Sequence, residues 1–73
     1  MNHITEKPKT GDKLIYKSSY YSDAKPFTVI IPESKTGVPY SDSIIGMLFD
    51  DGKQDIVNWI SGDGVINPLL YKM

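Results

Sequence analysis

Residues 43–60, SIIGMLFDDGKQDIVNWI, carry the reading that decides the fold. An apolar run, an Asp-Asp-Gly-Lys turn and a second apolar run form the strongest short-range hairpin signal a sequence offers. The first arm is apolar on both faces, with Ile45, Met47 and Phe49 alternating against Ile44 and Leu48. It is therefore predicted to be a strand covered on both sides, and Gly46 inside it permits a sharp bend. The second arm, residues 54–60, reads as a strand with Val57 and Trp59 on one face. A helix over 54–61, grouping Ile56, Trp59 and Ile60 and ending at Gly62, is the alternative and would make the domain α+β.

Working outward, residues 61–64 are a turn, and Val65-Ile66 form a short strand or bridge. Asn67-Pro68 then begin a turn that returns Leu69, Leu70 and Tyr71 to the core. Upstream, residues 27–31 are β-branched and aromatic between Pro26 and Pro32, with Phe27, Val29 and Ile31 expected to face inward. Residues 13–17 form a further strand, with Leu14 and Tyr16 on its inner face. Two polar connections, residues 18–26 and 33–42, separate these strands and hold Tyr20, Tyr21 and Tyr40. Residues 1–10 read as a flexible polar arm with Ile4 as its one anchor, leaving residues 11–73 as a single domain. The expectation is an all-β fold, a small barrel of five strands about the central hairpin.

Composition bounds what such a fold is able to do. Seventy-three residues lie near the lower limit for a single core without staples, and 40% of them are apolar. Cysteine is absent, so the core is held by packing alone, and a reducing cytoplasm is the expected compartment. The longest apolar stretch is far too short to cross a bilayer, and the first residues lack the apolar run of a signal peptide. Net charge is −1 but uneven. Residues 1–35 hold six Lys against four acids, and residues 42–63 hold five Asp against Lys53 alone.

Met47-Leu48-Phe49-Asp50-Asp51-Gly52, Val57, and Ile66-Asn67-Pro68-Leu69 together resemble the Tudor and KOW class of SH3-like barrels. There a strand ending in aromatic-Asp-Gly precedes a strand with a central Val and a terminal Ile-x-Pro-Leu segment. Gly11-Asp12-Lys13-Leu14 resembles the start of that class's first strand. The resemblance spans residues 11–70 and implies the fold. It also implies binding of methylated Lys or Arg, of nucleic acid or of another protein, with Phe49, Tyr20 and Tyr21 as the loosely matching aromatics.

Catalysis finds little support in these residues. The only histidine, His3, lies in the arm, and without cysteine there is no evident nucleophile and base pair. Asp50, Asp51 and Asp55 do not follow the spacing of a calcium loop, and turn chemistry explains them. No metal or cofactor site is expected. Gly62-Asp63-Gly64 lacks the Lys and hydroxyl residue of a phosphate loop.

Binding remains. Five Tyr and one Trp exceed what so small a core encloses, and Tyr suits interfaces because it offers large area at low entropic cost. Tyr20, Tyr21 and Tyr40, beside the acidic Asp50-Asp51 turn, are the expected contacts to a protein partner. A small bacterial or phage regulator that blocks a host protein would have this character. The alternative is weak, salt-sensitive binding of single-stranded nucleic acid through Lys13, Lys17 and Lys25, although the chain has no Arg for bidentate base contacts. A third is homodimerisation through an unpaired strand edge.

Overall fold

Alternation of apolar and polar residues, rather than any helical period, governs most of the chain, and the backbone follows it. The computed structural model describes residues 2–17 and 24–73. Within them are six strands: β1 (Asn2–His3), β2 (Lys13–Tyr16), β3 (Lys25–Ile30), β4 (Ile44–Phe49), β5 (Gln54–Asn58) and β6 (Leu70–Lys72). All pairings are antiparallel, in the order β1-β6-β2-β3-β4-β5. The all-β class follows. No helix among the described residues is long and apolar enough to cross a membrane.

The sheet is not closed into a barrel, which corrects the expectation of a five-stranded one. It is an open sheet of six strands in which β1 and β5 are the edges. The sixth strand comes from the segment read as a polar arm: Asn2 and His3 pair with Lys72 and Tyr71, and Ile4 is buried in the core. The helix considered for residues 54–61 is replaced by β5, whose register places Val57 beside Ile45. A hairpin turn immediately before Gln54 commits the chain to pair with β4 before a helical turn can nucleate.

The register sorts side chains between two faces. On the inner face Leu14 lies beside Phe27 and Phe27 beside Phe49, while Val29 is beside Met47 and Tyr16 beside Leu70. Ile4, Leu14, Phe27, Val29, Ile45, Met47 and Leu70 are buried, with Tyr16, Phe49, Val57, Trp59 and Ile66 packed against them. Burying one such side chain contributes about 1.5–3 kcal/mol, so this face holds the sheet together. Ile31 does not join it; β3 ends at Ile30, and Ile31 is 71% exposed. Pro32 follows Ile31 and cannot donate to a ladder, so the strand stops one residue short of the inward position.

The outer face is less covered than the apolar character of β4 implied, with Ile44 and Leu48 only half-buried. Gly46 lies where β3 and β4 come closest. It pairs with Ile30, and a Cβ there would come 2.8 Å from both Ile30 Cγ1 and the Ile30 carbonyl oxygen. The strands approach too closely at this point for any side chain.

Pro26 lies within β3 rather than before it. The bonds of Gly11 and Val29 with Val29 and Asp12 carbonyls fix which residues of β3 bond to β2. By alternation Pro26 faces the other way, past the end of β4, where no donor is required.

Two connections are tied down by Trp59 and Asp42. The Trp59 indole N–H donates to the Asp42 carbonyl oxygen at 2.8 Å, and the Trp59 backbone N–H donates to the Ser43 carbonyl oxygen at 2.9 Å. Lys7 makes an ion pair with the Asp42 carboxylate, drawing residues 5–9 against the start of β4. Beyond β5 the chain folds back through a bridge between Ile60 and Ile66, and a turn at residues 68–69 delivers Leu70 to its place between β1 and β2.

Candidate functional site

The turn between β4 and β5 is built by backbone hydrogen bonds. The Gly52 N–H donates to the Phe49 carbonyl at 3.0 Å, and the Phe49 N–H donates to the Lys53 carbonyl at 2.9 Å. Gly52 has φ of 87°, the left-handed position that closes a three-residue hairpin loop. Asp51 belongs to this scaffold, since its Oδ1 accepts the Lys53 N–H at 3.0 Å. Asp50 is exposed, and among the described residues no hydrogen bond or ion pair engages its carboxylate.

Beneath this turn is a cleft of about 620 Å³. Tyr16, Pro26, Met47, Phe49 and Val57 supply its apolar lining, while Asp50, Asp51 and Asp55 stand around it with Lys25 and Lys53. The cleft exists because the sheet does not close: β5 has no strand beyond it to cover the inner face between Tyr16 and Val57. An apolar floor with a few charged groups at its edge is the usual composition of a binding pocket. Lys53 Nζ is 4.0 Å from Asp51 Oδ2, an exposed pair, and with Asp50, Asp51 and Asp55 against Lys25 and Lys53 the rim keeps a slight excess of carboxylate.

Of the tyrosines singled out from sequence, Tyr40 is not brought to this turn. Tyr20 and Tyr21 lie outside the described residues; their segment joins Lys17 to Ala24, and Tyr16 and Lys25, on either side of it, both line the cleft. Tyr40, 38% exposed, lines separate grooves with Ile30 and Pro32. One of these grooves runs over Gly46 to Ile56, so β5 is what separates Tyr40 from the acidic cleft.

The lysines divide as well. Lys13 lines a cleft of about 320 Å³ at the other end of β2, with Lys7, Lys9 and Lys72. Lys17 follows the far end of β2, and Lys25 lies opposite Tyr16 and faces the acidic cleft. The three lysines named from sequence thus make no single stripe. Lys72, which that reading did not name, joins Lys13 only because β6 returns beside β2, which no local pattern announces.

His3 is engaged in a ring contact with Tyr71, their centroids 4.5 Å apart and their planes inclined by 33°. Among the described residues no group of three or more His, Cys, Asp or Glu is placed to hold a metal ion. At the turn after β5, hydrogen bonds from the Ser61 hydroxyl and from the backbone of Asp63 and Val65 hold the exposed Asp63 carboxyl below its ordinary value of 3.8. The Ser61 backbone N–H closes the same turn on the Val65 carbonyl at 2.9 Å.

Comparison with family models, with curated proteins and with solved structures gives no match to this chain. Its candidate site stands on its own geometry. That geometry is an apolar cleft at an open sheet end, edged by carboxylates, and a second, lysine-lined cleft at the opposite end of β2.

Proposed function

We propose that this protein is a non-catalytic interaction module that receives a segment of a partner protein in the cleft beneath the turn joining β4 and β5. The cleft between Tyr16 and Phe49 carries this reading. Its apolar lining rewards burial of a partner side chain, and Asp50 and Asp55 favour a positively charged segment over an acidic one. The hydrogen bonds at Phe49, Gly52 and Lys53 support a preorganised rim, which limits the entropy lost on binding. The meander from β2 to β5, with β6 returning beside β2, is compatible with the resemblance to SH3-like barrels and supports it. We accordingly assign the chain to that broad architecture in an open form.

Affinity capture with the intact chain as bait, with and without nuclease, tests the reading. A stoichiometric protein that survives nuclease, and whose affinity falls at least about tenfold with Asp50→Lys, is the expected result. Asp50 makes no bond in the turn, so the fold tolerates this change. A partner bound equally well by the Asp50→Lys variant would overturn the assignment to this cleft.

The lysine-lined cleft favours a second reading, weak binding of single-stranded nucleic acid at Lys9, Lys13 and Lys72. It requires affinity for an oligonucleotide that drops steeply with salt and drops again in Lys13→Ala. Binding insensitive to salt would remove it.

A further inference from the structure

β5 is the longer of the two sheet edges, five residues against two in β1. Its ladder with β4 is fixed by the bonds at Phe49–Lys53 and Ser43–Trp59. By antiparallel alternation Asp55 and Val57 bond to β4, and the backbone groups of Gln54, Ile56 and Asn58 point away from the sheet. Two of these groups are held by side chains: the Ile56 N–H donates to Asp55 Oδ1 at 2.8 Å, and the Asn58 carbonyl accepts from Asn67 Nδ2 at 2.9 Å. Both bonds are exposed. The edge carries neither the proline nor the lysine that commonly prevents strand addition, and Ile56 is 41% exposed on it.

We propose that β5 pairs antiparallel with β5 of a second copy of this chain, about a twofold axis through Ile56. The sequence selects this occupant and this register. Outward-pointing residues must meet outward-pointing residues, so few alignments are open. Aligning Gln54 with Ile56 sets Asp55 against Asp55, a like-charge pair directly opposed. Aligning Ile56 with Asn58 leaves Gln54 unpaired and shortens the ladder. The twofold through Ile56 uses all five residues: Ile56 meets Ile56, Gln54 meets Asn58 with amide against amide, and Asp55 meets Val57.

The outer faces of the two sheets then run together, and Ile56 of each copy covers the other beside Ile30 and the depression over Gly46. For the new ladder to form, the Asp55 carboxylate must release the Ile56 N–H, and the Asn58 carbonyl must accept the Gln54 N–H of the second copy in place of, or beside, Asn67 Nδ2. Exposed hydrogen bonds are exchanged for ladder bonds, so Asp55 and Asn67 tune the association rather than forbid it. This pairing is independent of the cleft reading, because its measurement needs no other protein.

The absence of cysteine makes the register directly readable. Directly opposed residues of a hydrogen-bonded pair have Cα atoms about 5.5 Å apart, within disulfide range. Under mild oxidation Ile56→Cys is expected to form a covalent dimer faster than Asp63→Cys, an exposed control off the strand. Gln54→Cys and Asn58→Cys are expected to cross-link when mixed and not singly. The wild-type chain is expected to sediment as a concentration-dependent dimer, with Asp55→Ala moving the transition to about tenfold lower concentration.

A wild-type chain that sediments as a strict monomer at about 1 mM would overturn the proposal. So would Ile56→Cys cross-linking no faster than the control. Homotypic linkage of Gln54→Cys would overturn the register, and an unshifted transition in Asp55→Ala would overturn the role given to that carboxylate.

Discussion

Gly46 is the position where the fold has least tolerance, because the clash its Cβ would make is with a neighbouring strand's backbone as well as with a side chain. Gly46→Ala is expected to cost about 1–3 kcal/mol, the range for overpacking a fitted interior. Gly62 makes the proper contrast, since nothing lies within 4 Å of a Cβ built there. Urea unfolding of Gly46→Ala beside Gly62→Ala checks this, and equal midpoints would contradict it. Asp63 bears on acid behaviour. Its carboxyl is held below 3.8, so the stability it contributes is present above that pH and is lost as pH falls through the lowered folded value. Asp63→Asn should therefore differ from wild type at neutral pH and converge with it only below about 3.8 in an acid titration. Divergence appearing between pH 5 and 7 would point to another group.

Asp42 and Trp59 show how two connections are held by one strand start. Trp59→Phe keeps the ring and removes the indole donor to the Asp42 carbonyl, and a loss of about 0.5–1.5 kcal/mol is expected in denaturant unfolding. The Lys7–Asp42 pair is exposed on both sides, 43% and 90% for the two side chains, and Lys7→Ala should cost no more than about 1 kcal/mol. A larger effect for Lys7 than for Trp59 would reverse this order of importance.

The central hairpin shows what sequence pattern reaches. Asp50-Asp51-Gly52 specifies a local turn, its chemistry needs only adjacent residues, and β4 and β5 follow from it. Ile31 departs from the alternation of β3 because Pro32, next along the chain, cannot donate to a ladder, and the strand ends at Ile30. Strand order is different in kind. That β6 lies between β1 and β2 depends on pairings between residues about seventy positions apart, such as Asn2 with Lys72, and no short motif encodes them.

The same division governs function. Asp50 and Asp51 were legible as an acidic turn. Tyr16 and Met47 read as core from their alternation, and only an unclosed sheet turns them into the wall of a cleft. Tyr40 was grouped with the acidic turn because both are exposed features of a short chain, yet β5 stands between them. Cohesion of the sheet concentrates on Leu70, fully enclosed on a three-residue strand that β1 and β2 share. Leu70→Ala is expected to lose about 2–5 kcal/mol, a large part of what a domain of this size possesses. Thermal unfolding by circular dichroism should show one cooperative transition at markedly lower temperature; a separate early transition limited to part of the signal would mean β1 and β6 melt independently.

The position of β6 also bears on the order in which the sheet can be completed. β1 and β2 are not neighbours, and only β6 joins them, so nothing ties β1 to the meander from β2 to β5 until residues 70–72 insert. Ile4 and Leu14 gain their shared neighbour Leu70 through that long-range pairing, which carries the largest loop-closure cost in the fold. A sheet without β6 would leave the β2 edge open to any extended segment in reach.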